Sequence, residues 1–293
     1  MSLATPAPVA ERFRFSPRAE PVRLGSAPPY VHGYTWRHPA PSATLVLVHG
    51  LQSHAQWFAE AAELLLDRGF GVYALDRQGS GSSPAVRGDV ARYADWFDEV
   101  GAMVQLARSE HPSAPVHLVG HCFGANVALG SISSGRAQVR SLIMLTPGFY
   151  VLPDYGLVEK LHIGVSGLAA PRARFRVPQD DGLFSLDEDV VAWIAADSLG
   201  SKTLTARCLL QINALLGEVR RNAGSLSVPL LVFEAARDRL SDNRRNRALL
   251  DRALGDRCRW ATFEAEHFLL AESCRDQVLE TLTAWVAEQE ATC

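Results

Sequence analysis

Residues 116–126 read Val-His-Leu-Val-Gly-His-Cys-Phe-Gly-Ala-Asn. Val116–Val119 is a short apolar run rich in β-branched residues, and from Phe123 the pattern predicts a helix over 123–134. Gly120 and Gly124 bracket the change. A strand that turns this sharply into a helix needs small flanking residues, and the turn forces the side chain at its centre out at the top of the sheet. Here that side chain is the thiol of Cys122. The amide of Phe123 opens the helix, where a free N–H and the helix dipole can meet a developing oxyanion. A helix N-terminus and a nearby imidazole also favour a thiolate. His121, beside the thiol, is read as packing or hydrogen-bonding locally.

Outward from this turn, short apolar runs alternate with helical periodicity. Strands are expected at Tyr30–Trp36, Thr44–Val48, Val72–Leu75, Leu142–Leu145, Pro229–Phe233 and 258–264. Helices are expected at about 56–67, 89–110, 242–254 and 272–288. This rhythm argues for βαβ units and an α/β fold with a mostly parallel sheet flanked by helices. The first 29 residues, rich in Pro and Ala, read as an extended arm with one edge strand at most. The alternation breaks after Pro147. From 148 to 226 the chain shows helical pieces near 188–196 and 203–217, a polar link at 178–182 and no clean apolar strand. The simplest organisation is a core of residues 1–147 and 227–293 with a helical lid, 148–226, inserted between.

Two further loops complete a candidate site. Phe233 to Asp238 leaves a buried strand and reaches a carboxylate, and Glu264 to His267 leaves the last strand and reaches an imidazole. Open α/β sheets place their sites at such C-terminal strand ends. Nucleophile, acid and base thus come in the order Cys122, Asp238, His267. His267 is assigned as general base and then general acid, and Asp238 as the group that orients it. Asp242 and Glu234 are rivals for the acid, though Glu234 sits too early on its strand. His49-Gly50-Leu51 follows the first buried strand, so the Leu51 amide is the natural second oxyanion donor beside that of Phe123. Gly50 would allow close backbone approach, and His49 and His54 are expected to shape this loop.

At this point the chain resembles the lysophospholipase/monoacylglycerol-lipase branch of the α/β-hydrolases. The matching pieces are HGLQSH (49–54), DRQGSGSS (76–83), GHCFGA (120–125), the Asp238 and His267 loops, and in the lid DDGLFS (180–185) with the helix that follows. The resemblance spans about residues 40–285. It implies the α/β-hydrolase fold and a small-molecule acyl substrate. Members usually carry serine where this chain has Cys122. A thiolate forms a thioester intermediate, which resists water relative to amines and thiols. Two other groups of this superfamily use a G-x-C-x-G turn: dienelactone hydrolases, which are smaller and lack such a lid, and polyhydroxyalkanoate synthases, which are longer.

Three functions follow: an ester or thioester hydrolase with a Cys122 acyl-enzyme; an acyltransferase or cyclising enzyme that passes the acyl group to an amine, alcohol or thiol; and a non-catalytic ligand-binding relative. The apolar residues Phe149, Tyr150, Leu157, Leu161, Trp193, Leu210 and Ile212 are candidates for an acyl pocket or for the lid's own core. Arg172, Arg174 and Arg176 could meet a phosphate or carboxylate, such as the arm of a carrier-bound thioester, or form a solvated face.

Composition narrows the alternatives. The 293 residues are 47% hydrophobic with a net charge of −3, so no broad basic field recruits nucleic acid. The five cysteines include no CxxC pair, which argues against a disulfide framework and a zinc site. Cys208, Cys258, Cys274 and Cys293 lack the context of Cys122 and read as inert. Asp76 to Gly81 lacks the third glycine of a dinucleotide fingerprint and reads as a structural turn. No cofactor and no metal is expected. The start, MSLATPAPVAERF, is not that of a signal peptide, and no stretch reaches the roughly 18 apolar residues of a membrane span. A cytoplasmic location is the expectation.

Overall fold

Every residue of Thr44–Val48 is buried, yet the side chains part company. Leu45 and Leu47 enter one hydrophobic core, and Val46 and Val48 enter a second. The period-2 geometry of a strand requires this when both faces are covered, and the fold is two cores separated by one sheet.

The computed structural model describes residues 8–25 and 31–291. In chain order its elements are α1 (Val9–Arg12), β1 (Glu20–Leu24), β2 (Val31–Trp36), β3 (Thr44–Val48), α2 (Ala59–Asp67), β4 (Gly71–Asp76), α3 (Tyr93–Glu110), β5 (Val116–His121), α4 (Phe123–Ser133) and β6 (Ser141–Leu145). There follow α5 (Leu157–Ala169), β7 (Arg174–Arg176), α6 (Glu188–Ala196), β8 (Thr203–Thr205), α7 (Ala206–Asn222), β9 (Leu230–Ala235), α8 (Asn243–Leu254), β10 (Cys258–Phe263) and α9 (Arg275–Ala291). Eight strands form one sheet in the order β1-β2-β4-β3-β5-β6-β9-β10. β2 runs antiparallel to both its neighbours, and every other pairing is parallel. Helices α2 and α9 cover one face with Leu65, Leu279 and Leu282, while α3, α4, α7 and α8 cover the other with Val100, Val127, Leu215 and Leu250.

The structure refines the expectations at several places. The edge strand of the arm is Glu20–Leu24, and Phe13 of the arm is buried beneath Trp193 and Phe268. Tyr30 and Cys293 lie outside the described residues. Between β6 and β9 two short strands, β7 and β8, do pair. Helix α5 is an element that the residue pattern did not predict. Helices α6, α7 and α8 start where a side chain caps them: Asp187 accepts from Asp189 and Val190, Thr205 from Cys208, and Asp242 from Arg245.

Candidate active site

The parallel strands β3, β5, β6, β9 and β10 all end on one side of the molecule, and the loops that leave them bring the candidate residues together. The first is at the end of β5. Cys122 has φ 52° and ψ −117°, a left-handed backbone that few non-glycine residues adopt. Its amide donates to the Leu145 carbonyl of β6 (2.9 Å), and its carbonyl accepts from Ala125 and Gly148 (both 3.1 Å). The two flanking glycines are required by space. A Cβ at Gly120 would lie 2.6 Å from the Cα of Ala125, and one at Gly124 would collide with the Val48 carbonyl oxygen of β3. Cys122 itself is 4% exposed.

The candidate acid, Asp238, and the candidate base, His267, approach from β9 and β10. His267 Nδ1 donates to Oδ2 of Asp238 at 2.8 Å, with both side chains fully buried. The other Asp238 oxygen accepts from the amides of Leu240 and Ser241 at 2.8 Å each, so the carboxylate is locked from both sides. Burial pushes the imidazole of His267 toward its neutral form. The charge of Asp238, and after it the Cys122 sulfur, outweighs burial and raises the pKa to about 10. Nε2 of His267 is buried and has no fully formed hydrogen bond among the described residues. Nε2 is thus the ring atom left free for the Cys122 sulfur, which stands second to Asp238 among the groups that raise the ring's pKa.

The rival acids are occupied elsewhere. Asp242 caps α8, and Glu234 pairs with Arg247 at 3.1 Å. Glu266, 2% exposed, is gripped by the two arginines that flank Asp238: Arg237 and Arg239 each approach it at 3.2 Å. That clamp ties the acid loop to the histidine loop.

The loop His49-Gly50-Leu51 is held by a residue that the motifs did not single out. Arg77 is buried, stacks over the rings of Trp96 and Phe123, and donates to the Gly50 carbonyl at 2.6 Å. Its backbone amide donates to Nε2 of His49 at 3.2 Å, while His49 Nδ1 lies 2.8 Å from the Gly50 carbonyl. A Cβ at Gly50 would come within 3.3 Å of the Cβ of Cys122, so the loop passes directly over the turn. Burial, and then the charge of Arg77, hold His49 well below the usual histidine range; burial, and then His267, do the same for His121. Both stay neutral near pH 7. His54 bonds Asp197 through Nε2 (2.9 and 3.1 Å), away from the thiol.

Leu51, Cys122, Phe123 and Gly148 line one cavity of about 320 Å³, whose remaining wall is mostly apolar: Val151, Ile163, Val177, Leu209, Ile212 and Leu216. A Cβ at Gly148 would sit 3.5 Å from both the sulfur and the Phe123 amide nitrogen. The backbone of residue 148 is thus a second unforeseen part of the site. Of the apolar candidates named from sequence, Leu210 and Ile212 reach the cavity. Leu157 and Leu161 point to solvent, Phe149 is core, and Trp193 packs on Phe13 and Trp57. None of Arg172, Arg174 and Arg176 lines the cavity; Arg174 braces Thr203 and the Arg87 carbonyl. Asp76 organises its turn by accepting from the amides of Ala55 and Ser82 at 2.8 Å. Among the described residues no group of His, Cys, Asp or Glu is arranged to hold a metal ion, and no helix is long and apolar enough to cross a membrane.

Comparison with known proteins agrees with this fold. Residues 39–273 match the protein family Hydrolase_4, described as serine aminopeptidase, S33. A monoacylglycerol lipase of Mycolicibacterium smegmatis is 25% identical over 248 residues, covering 84% of this chain and 88% of the lipase. Human monoglyceride lipase is 23% identical over 257 residues, 86% of this chain and 84% of its own length. In three dimensions the chain is similar to a soluble variant of the monoglyceride lipase of Saccharomyces cerevisiae in complex with a substrate analogue. The TM-score is 0.82 at 14% identity, over 94% of this chain and 96% of that one.

Proposed function

The chain belongs to the Hydrolase_4 family, and on that premise we propose that it is an acyl-ester or acyl-thioester hydrolase working through a covalent acyl-enzyme at Cys122. One observation carries the reading: a thiol at the apex of a tight turn opens into a mostly apolar cavity that Leu51 and Phe123 also line, and its neighbour His267 is buried against Asp238. In the proposed cycle His267 takes the thiol proton and the sulfur attacks the carbonyl carbon. The amides of Leu51 and Phe123 receive the oxyanion, as first-turn and loop N–H groups do when preorganised. His267 then returns the proton to the leaving group. Water, deprotonated by His267, releases the acid and restores the thiol. Asp238 holds the ring in one tautomer and stabilises its charge. The segment 148–226 serves as a cap whose inner wall receives the acyl chain.

The named relatives act on glycerides, and a medium-length acyl ester is the matching probe for this chain. With p-nitrophenyl hexanoate, Cys122→Ala should lose turnover by at least about a thousandfold while its far-UV circular dichroism stays that of the parent. Turnover that survives in Cys122→Ala would sink the assignment.

A second reading has its own support. The nucleophile is sulfur, and both it and the base are almost fully buried, conditions that protect a thioester from water. Here the acyl group passes from an ester or thioester, carrier-bound or free, to an amine, alcohol or thiol. The two readings part on one measurement. An acyl-enzyme that persists in water and discharges when an amine or alcohol is added means transfer, whereas steady release of acid means hydrolysis. Failure of Cys122 to form any adduct with thioesters or iodoacetamide would favour a ligand-binding relative.

A further inference from the structure

Two non-glycine residues have a positive φ among the described residues: Cys122 at 52° and Thr146 at 43°. The first is explained by the turn that presents the thiol. The second is a β-branched residue in a region that its side chain makes costly, and such outliers persist where the surroundings over-determine them. Thr146 follows β6 and is fully buried. Its amide donates to the Phe233 carbonyl of β9 at 2.9 Å. Its hydroxyl donates to the backbone carbonyl of His267 at 3.0 Å. Its own carbonyl accepts from Ser241 Oγ at 3.4 Å, and the Ser241 amide is one of the two that hold Asp238. One residue therefore touches the strand that leads to the acid, the loop that carries the acid and the backbone of the base. The His267 carbonyl has one other backbone donor, Leu269, two residues on in the same loop (3.1 Å). Thr146 ties the His267 carbonyl to the end of β6, while the Arg237 amide, donating to the Ala265 carbonyl at 3.1 Å, holds an earlier point of the same loop and the His121 ring also meets the His267 backbone.

We propose that Thr146 is a positioning residue for the His267 imidazole: its hydroxyl pins the His267 backbone to the end of β6, and the strained backbone at 146 aims that hydroxyl. The inference rests on reading Cys122, His267 and Asp238 as the reacting groups. A side chain in an unstrained conformation at 146 would leave the loop free to drift, and a ring misplaced by about 1 Å costs on the order of a hundredfold in rate.

Three variants separate the hydroxyl from the shape. T146S keeps the donor, T146V keeps the branched shape without it, and T146A removes both. Each is assayed by steady-state hydrolysis of p-nitrophenyl hexanoate and by the rate of Cys122 alkylation with iodoacetamide across pH, with mass spectrometry placing the adduct on Cys122. T146S should stay within about twofold of the parent in both rates, while T146V should lose about ten- to a hundredfold in kcat with KM within about twofold. Alkylation of T146V near pH 7 should slow by a similar factor, because thiolate formation needs the same ring. If T146V does not fold, T146A makes the same comparison. Equal rates for T146S and the folded hydroxyl-less variant overturn the proposal. So does a loss confined to thermal stability with both rates unchanged. If the parent turns over no ester, the hydrolase reading fails, and alkylation, which needs no substrate, still decides the role of Thr146.

Discussion

His267 holds a proton where burial alone would remove it, and this has a thermodynamic consequence. Its pKa in the folded chain is about 10, against the ordinary histidine value of 6.5. The folded state therefore binds more protons than the unfolded state between those values, and stability falls as pH rises through that window. The contribution is fully present below pH 6.5 and gone above about 10. His49 and His121 act with the opposite sign. Burial, their largest influence, depresses both, so stability falls as pH drops below 6.5 and the unfolded histidines take up protons. Urea unfolding of the parent and of Asp238→Asn, run from pH 6 to 10, isolates the first effect. The parent should lose more stability over that range than the variant, and parallel curves would show that Asp238 does not hold the His267 proton. Cys122, Asp238 and His267 were readable in the sequence because each follows a short apolar run and stands at a loop that the fold aims at one place. Arg77, Thr146 and Glu266 were not, because their partners (the Gly50 carbonyl, the His267 carbonyl, the side chains of Arg237 and Arg239) are defined only once separate strands end side by side.

At the scale of elements, the same carboxylate chemistry serves two ends. Asp238 and Asp242 are four residues apart, and sequence alone leaves both as candidate acids. The start of α8 separates them, since the Asp242 carboxylate accepts from the Arg245 amide at 3.0 Å and is spent on the helix. Asp242→Ala should cost about 1 kcal/mol of stability, the usual value of a lost N-cap, and leave turnover of p-nitrophenyl hexanoate within about twofold. Asp238→Asn should instead cut turnover sharply, and its stability loss should be the pH-dependent one set by His267. An inactive Asp242→Ala with parent-like stability would return Asp242 to the site. Gly124 makes a second test. Its missing side chain lets α4 lie against the Val48 carbonyl, so Gly124→Ala should lower stability by about 1–3 kcal/mol through overpacking, read as a drop in melting temperature. The inner strands β3, β4, β6 and β9 were legible because a strand buried on both faces is written as a nearly unbroken apolar run, whereas the three-residue β7 and β8 were too short to show one. Helix α5 was not. It carries Gly164 and Gly167, and Leu157, Val158, Leu161 and Leu168 point outward, which scrambles the pattern of apolar residues facing inward.

Across the whole molecule, the chain between β6 and β9 is fastened very unevenly. From 178 to 207 it is stitched to the sheet-bearing part: Gln52 donates to the Gln179 carbonyl, His54 and Trp57 bond Asp197, Phe268 donates to the Phe184 carbonyl, and Asp89 pairs with Arg207. The loop that leaves β6 is equally fixed, with Asn126 bonding the Gly148 carbonyl and Asn246 the Pro147 and Tyr150 carbonyls. Among the described residues, 153–171 show no such anchors to the sheet. Helix α5 buries Ile163 and Ser166, rests on α7, and leaves Leu157 86% and Leu168 90% exposed. Segments with few buried apolar contacts open at low free-energy cost, and Ile163 of this helix is also part of the cavity wall. Access to Cys122 is therefore expected to come by movement of α5 alone, with α6, α7 and the turn after β5 standing still. Hydrogen exchange followed by mass spectrometry should show the amides of α5 exchanging at least about tenfold faster than those of α4. Acylating Cys122 with a hexanoyl thioester should slow α5, because the chain would supply the apolar partner that Ile163 and Leu209 lack across the cavity. Protection of α5 equal to that of α4 in the free protein, unchanged by the acyl group, would mean that the substrate enters by another route.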